Sequence, residues 1–258
     1  MFNQHIELAQ HIKREKPLIL NLTNDVTMDF IANGLISLGA SPMMTKSVEE
    51  LEDLITISHA MVINIGTLDG DFLKTCDKAC ELANKHHKPI VLDPVGAGAS
   101  QYRTKTCQYL LERYQFAVVR GNASEIMALS YADIQTKGVD SLKETCDAVD
   151  VGKVLSNQHD VIVGISGQTD AIIEGEHVAF SSKGSDLMPQ ITGSGCLLTA
   201  VIAAFVSVEG AFFKAANSAV HYYGACGELA ADKANGPGTF KPLFIDALSA
   251  LSMEAHHV

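Results

Sequence analysis

Gly193, Ser194, Gly195 and Cys196 stand directly before a largely apolar run that begins at Leu197. Glycines let backbone N–H groups converge, and the first turn of a helix presents unpaired donors at a positive dipole end, so this entrance suits an anion. A cysteine at the head of such a helix sits where a thiolate is favoured, which makes Cys196 a candidate nucleophile or base. A cysteine among apolar residues is equally a small core residue. The stretch is not a Walker motif, because no Gly-Lys-Ser/Thr follows, and the dinucleotide fingerprint needs its glycines after the first strand.

Two carboxylates invite a second chemistry. Asp93 follows "PIVL" and Glu125 lies in "RGNASEI". If they converge, their hard oxygen atoms suit Mg²⁺ carrying a nucleotide's phosphates; otherwise Glu125 favours the first turn of the next helix and Asp93 caps a turn. Arg120 ends "FAVV", where a guanidinium can fork onto phosphate oxygens or pair with one of those carboxylates. His86 and His87 read as a solvated helix terminus, and His221 as a packed helix residue beside Tyr222 and Tyr223. Met43 and Met44 after "GASP" read as core, although thioethers also pack on flat heteroaromatic rings.

These residues need elements to hold them. Short apolar runs recur, "PLILNL", "AMVINIG", "PIVLDPVGAG", "FAVVRGN" and "DVIVGISG", each ending in small or polar residues. Between them lie helical patterns such as "VTMDFIANGLISLGA", "SVEELEDLITIS" with Ser47 as its cap, and "DFLKTCDKACELANKHH". Continuously apolar strands alternating with helices predict an α/β fold with a mainly parallel sheet covered on both faces. "TDAIIEGEHVAFSS" reads as an edge hairpin turning at Glu174, Gly175 and Glu176, and the last third reads as three helices. Ligands of open α/β sheets gather beyond the carboxyl ends of the strands, which is where Asn24, Asn64, Asp93, Arg120, Glu125 and Ser166 fall.

The chain has 258 residues, 47% hydrophobic, with no long Pro/Gly/Ser linker, so residues 1–258 read as one domain. Its 19 Lys+Arg against 30 Asp+Glu leave a net charge of -11, which argues against nucleic acid or an anionic membrane surface as partner. The apolar run from Cys196 to Val208 is about a dozen residues, short of the ~20 that a membrane span needs. Cys76, Cys80, Cys107, Cys146, Cys196 and Cys226 are scattered through apolar segments, and the N-terminus lacks the apolar core of a secretory signal. A reducing cytoplasm is the expected setting. Cys76 and Cys80 lie one helical turn apart without a second pair at finger spacing, so they read as packed residues in a helix rather than zinc ligands.

Taken together, "LTNDVTMDFIANGLISLGASPMM", "INIGTL", "LDPVGAGAS", "VRGNASEIMAL", "ITGSGCLLTAV" and "GPGTFKPLFIDAL" resemble, in order and spacing over nearly the whole chain, the hydroxyethylthiazole kinases of thiamine biosynthesis, within the ribokinase-like superfamily. The resemblance implies a ribokinase-like fold. It also implies transfer of the ATP γ-phosphoryl group to the primary alcohol of 4-methyl-5-(2-hydroxyethyl)thiazole, and a homotrimer with the thiazole pocket at the boundary between subunits. Met44, Asn24 and Gly193 then match substrate-contacting positions, and Arg120 and Ser166 match nucleotide-contacting ones. Many relatives carry threonine where this chain has Ser166. Asp93 and Glu125 match the acidic positions near the phosphates and Mg²⁺. Gly193, Ser194, Gly195 and Cys196 would cradle the phosphoryl group in flight. Cys196 stands where ribokinase-like enzymes usually carry an aspartate that accepts the alcohol proton, and the expectation is that Cys196 assists without being indispensable. The rival readings are a kinase of another small alcohol, such as the hydroxymethylpyrimidine of thiamine synthesis, and a nucleotide-binding regulator without turnover.

Overall fold

The computed structural model describes residues 2–130 and 141–251; the side chain of Cys146 lies outside what is described. Strands β1 (Leu18–Leu22), β2 (Ser41–Met44), β3 (Ala60–Asn64), β4 (Ile90–Asp93), β5 (Val118–Asn122), β6 (Ile162–Ser166), β7 (Asp170–Glu174) and β8 (His177–Ser181) form one sheet in the order β2-β1-β3-β4-β5-β6-β7-β8. Every pairing from β2 to β6 is parallel, and the β7–β8 hairpin extends the sheet antiparallel. Gly175 turns that hairpin in the left-handed region.

Both faces of the parallel part are apolar because alternate residues feed two cores. Ile19, Val62, Val91 and Val118 face one core, while Leu20, Ile63, Leu92 and Val119 face the other. Helices α1 (Phe2–Glu15), α2 (Met28–Leu38), α8 (Ser194–Val206), α9 (Phe212–Ala231) and α10 (Pro237–Ala250) cover the first face. Helices α3 (Leu51–Ile57), α4 (Gly70–Lys85), α5 (Gln101–Arg113), α6 (Ala123–Leu129) and α7 (Ser141–His159) cover the second. α8 lies between the sheet and α2 and α9, and every residue from Leu197 to Val206 is buried. That is why its apolar pattern runs all round the helix rather than along one stripe.

Two local expectations are corrected. Ser47 precedes a 3₁₀ turn, Val48–Glu50, before α3 begins, and its hydroxyl bonds the Glu49 carboxylate instead of capping the backbone. The run "SPMM" forms the edge strand β2, which Pro42 hides from an alternation pattern. Cys76 and Cys80 are buried on α4 against the sheet, and His221 stacks on His5 with ring centroids 4.8 Å apart.

Candidate active site

Strand periodicity aims the polar residues. Asn64 and Asp93 are register partners at the ends of β3 and β4, and each lies two residues beyond a valine that faces α8. Arg120 lies two beyond Val118, and Ser166 lies four beyond Ile162. With a period of two, all four side chains leave the sheet on the α8 side. The sequence pattern therefore already contains this convergence.

The head of α8 meets them. Gly193 precedes the helix with φ +91, a left-handed conformation that a side chain would strain, and no side chain caps the helix. By contrast Asp69, Ser100 and Asn122 cap α4, α5 and α6. The Gly195 and Cys196 N–H groups thus remain available to an anion, while the Ser194 N–H reaches back to the Ile191 carbonyl at 3.5 Å. Gly195 faces Arg120 so closely that a Cβ there would lie 2.8 Å from the guanidinium Nη1. Arg120 is buried and donates from Nη2 to Ser166 Oγ, its Nε has no partner, and it makes no ion pair among the described residues. The phosphate-directed reading of Arg120 thereby gains over the ion-pair one.

A row of hydrogen bonds crosses the strand ends. Asn24 Nδ2 donates to Asn64 Oδ1 at 2.9 Å and to Cys196 Sγ at 3.4 Å. Asn64 Nδ2 donates to Asp93 Oδ2 at 2.7 Å, and Thr199 Oγ1 donates to the same oxygen at 2.9 Å. The other Asp93 oxygen is buried with no partner among the described residues. Burial pushes the Asp93 carboxyl up to about 6 and the Glu125 charge adds to the rise, against the pull of Arg120 and the two hydrogen bonds. Cys196 departs from expectation: burial, followed by the charge of Asp93, raises its thiol above the ordinary range, although Asn64, Asn24 and Arg120 pull the other way. The helix head therefore does not deliver a ready thiolate.

Glu125 takes the first-turn role. It forms a capping box with Asn122, accepting from the Asn122 N–H at 2.8 Å, and its other oxygen accepts from the Gly96 N–H at 2.9 Å. Asp93 caps no turn with its side chain; it is bound by Asn64 and Thr199 instead. Met44 lies on edge strand β2, half-buried, with its side chain against the core beneath α2. Thr199 and Arg103 escaped the sequence reading. Arg103 donates to the carbonyls of Ile65, Val95 and Gly66, tying together the loops after β3 and β4. Thr199, one polar residue inside an apolar helix and three after Cys196, was the available signal for its own role. A cavity of about 730 Å³ lies at the opposite end of the sheet, lined by Ile90, Ala117 and Ile162 at the amino ends of strands. There the Asn84 side chain pairs with the Gln115 backbone and the Ser156 hydroxyl with the Val161 carbonyl, and none of the converging strand-end residues lines it.

The assembled chemistry is an anion cradle of backbone N–H groups and one guanidinium, beside a buried acid with a free oxygen. Comparison with known proteins bears on the family of the whole chain. A curated protein named hydroxyethylthiazole kinase from Brachyspira hyodysenteriae is 46% identical over 244 residues, 95% of this chain and 92% of that one. Its namesake from Chlamydia caviae is 42% identical over 98% of this chain and 97% of its own length. The solved structure titled hydroxyethylthiazole kinase protein from Pyrococcus horikoshii OT3 superposes with a TM-score of 0.87 at 36% identity, covering 96% of this chain and 93% of that one. A ribokinase-like superfamily protein from Enterococcus faecalis V583, with a TM-score of 0.71 at 12% identity over 96% and 94% of the two chains, shares the fold. A sequence profile of the hydroxyethylthiazole kinase family matches residues 9–254, and with these relatives it establishes that the chain belongs to that family.

Proposed function

We propose that this chain transfers the γ-phosphoryl group of ATP to the primary hydroxyl of 4-methyl-5-(2-hydroxyethyl)thiazole, with residues 1–258 acting as one kinase domain. Its family membership supports the activity. The observation that carries it to these residues is the uncapped, glycine-lined head of α8 with the Arg120 guanidinium packed on Gly195. In the transfer the alcohol oxygen bonds to the γ-phosphorus, and the β,γ-bridging O–P bond breaks with its electron pair leaving on ADP. The alcohol proton is released. Charge on the equatorial oxygens is met by the backbone N–H groups of Gly193, Ser194, Gly195 and Cys196, and Arg120 and Ser166 hold the nucleotide phosphates.

Asn24, Gly193 and Met44 contact the thiazole. A loose transition state needs little early deprotonation, so a thiol held protonated can still position the alcohol. Cys196 assists in this way. Asp93, with a buried oxygen that finds no partner among the described residues, fits a hard cation, and Glu125 adds a second negative charge within electrostatic reach. Together they would hold Mg²⁺ largely through water and phosphate oxygens. The ion when bound neutralises phosphate charge.

The homotrimer is what the family resemblance implies, and the half-covered edge strand β2 that carries Met44, with Val26 (70% exposed) before α2 and Ile36 (62%) on it, leaves surface for such a subunit boundary. A neighbouring subunit on that edge would close the thiazole pocket. No described helix is long and apolar enough to cross a membrane, and we place the enzyme in the cytoplasm. The test is ADP release from Mg-ATP with the thiazole alcohol, beside hydroxymethylpyrimidine and a no-acceptor control. Thiazole-dependent release is expected. Release with the pyrimidine alone would move the substrate, and none from folded, ATP-binding protein would leave a regulator.

A further inference from the structure

The head of α8 is braced from behind. Tyr223 on α9 is buried, and its hydroxyl donates to the Ser194 carbonyl at 2.6 Å. Ser194 O and the Gly195 N–H belong to the same planar peptide unit and point in opposite directions. A hydrogen bond on that oxygen therefore fixes the direction of the N–H that faces the anion, and polarises it toward stronger donation. The ring cannot drift, since it meets Phe244 edge-on at 4.8 Å, and Phe244 in turn stacks on Phe240. The neighbouring units are held less firmly from side chains: among the described residues no side chain bonds Gly193 O, which accepts the helix N–H of Leu197 at 2.8 Å, and Gly195 O is reached by Thr199 Oγ1 at 3.4 Å.

We propose that Tyr223 is a positioning residue for phosphoryl transfer, acting through the Ser194–Gly195 peptide to hold the Gly195 N–H in line with an equatorial oxygen of the group in flight. This rests on the reading above that the anion at α8 is that phosphoryl group. A donor fixed in this way matters most where charge and geometry are most demanding, so its loss should reduce turnover more than ground-state affinity.

The chain supplies its own control. Tyr222 is also buried on α9 and also donates from its hydroxyl to a backbone carbonyl at 2.6 Å, but the acceptor is Leu248 on α10, away from the site. Tyr223→Phe and Tyr222→Phe thus each remove a hydroxyl-to-carbonyl bond from one helix, the latter together with a contact to Cys226. The full-length variants would be compared in kcat, in KM for ATP and for the thiazole alcohol, and in affinity for ADP with and without aluminium fluoride. Tyr223→Phe should lose roughly five- to twentyfold in kcat with both KM values within about twofold. Its affinity for ADP with aluminium fluoride should fall by a similar factor while that for ADP alone holds. Tyr222→Phe should keep kcat within about twofold at a comparable loss of melting temperature. Phe244→Leu, which loosens the ring but keeps the hydroxyl, should cut kcat less than Tyr223→Phe even if it melts earlier. Wild-type-like kcat in Tyr223→Phe, or a rise in KM alone, would overturn the inference. If the wild type ignored the thiazole, the substrate reading would fail separately, and the aluminium fluoride comparison would still decide the role of Tyr223.

Discussion

Replacing Asp93 by asparagine should abolish turnover and stabilise the folded chain, with a pH signature that ties both effects to one carboxyl. Asp93 is buried, and its carboxyl is raised from 3.8 to about 6. A raised acid gives stability that is complete below the unfolded value and is lost as pH rises through the folded one. The loss here occupies roughly pH 4 to 6, and a two-unit shift corresponds to about 3 kcal/mol. Asparagine removes that penalty and keeps an oxygen for Asn64 and Thr199. It also places an N–H donor where the free oxygen was, at a cost of ~1 kcal/mol. The net gain at pH 7.5 is about 1–2 kcal/mol, a rise of a few degrees in melting temperature for a chain of this size. Urea unfolding of both proteins, free of nucleotide and divalent cation, is the assay. The advantage of the variant should shrink by about 2 kcal/mol between pH 7.5 and pH 4.5. A variant less stable than the wild type at pH 7.5, by an amount that does not change with pH, would refute the electrostatic account of Asp93.

Three further outcomes are expected. Cys196→Ser should fold, bind both substrates and keep kcat within about tenfold, because a protonated thiol and a hydroxyl position an alcohol alike; undetectable transfer from a folded, ligand-binding variant would refute the assisting role. Gly193→Ala must adopt φ +91 and bring its Cβ within 2.8 Å of Thr27 Cγ2. It should cost about 1–3 kcal/mol by urea unfolding and more than tenfold in kcat, since the strain falls on the cradle itself. His5, lowered to about 4 by burial and by the charge of His221, gives stability that is present above pH 6.5 and lost as pH falls. That slope opposes the one from Asp93, so His5→Phe should melt relatively better than the wild type at pH 5 than at pH 7, and equal behaviour at the two values would contradict it.

The strand ends were legible because a period of two is a local property. Once "AMVIN", "PIVLD", "AVVR" and "VIVGIS" are recognised as strands buried on both faces, Asn64, Asp93, Arg120 and Ser166 must share one side. The uncapped head of α8 was legible for a similar reason: glycines and a cysteine stand where a capping side chain belongs. The wiring was not legible. Thr199 reaches Asp93 across 106 positions and Tyr223 reaches Ser194 across 29, distances at which only the folded packing of helices on the sheet decides who meets whom. The state of the Cys196 thiol is illegible for a related reason, since the favourable helix end is a local feature and the burial that outweighs it is not. Glu125 could be read as capping residue or metal ligand, and its capping box with Asn122 shows that local bonding took up both its oxygens.

The row from Cys196 through Asn24 and Asn64 to Asp93 has one more property, which lies in what its two middle members are unable to do. Side-chain amides donate and accept, but near neutrality they neither gain nor shed a proton. The row is therefore an insulator to protons although every joint is hydrogen-bonded: it aligns dipoles between the thiol and the buried acid without forming a wire between them. A proton leaving an alcohol beside Cys196 cannot be handed along this row to Asp93. What passes between the thiol and Asp93 is therefore charge, felt as the rise that Asp93 imposes on the Cys196 thiol, and not a proton relayed through the two amides.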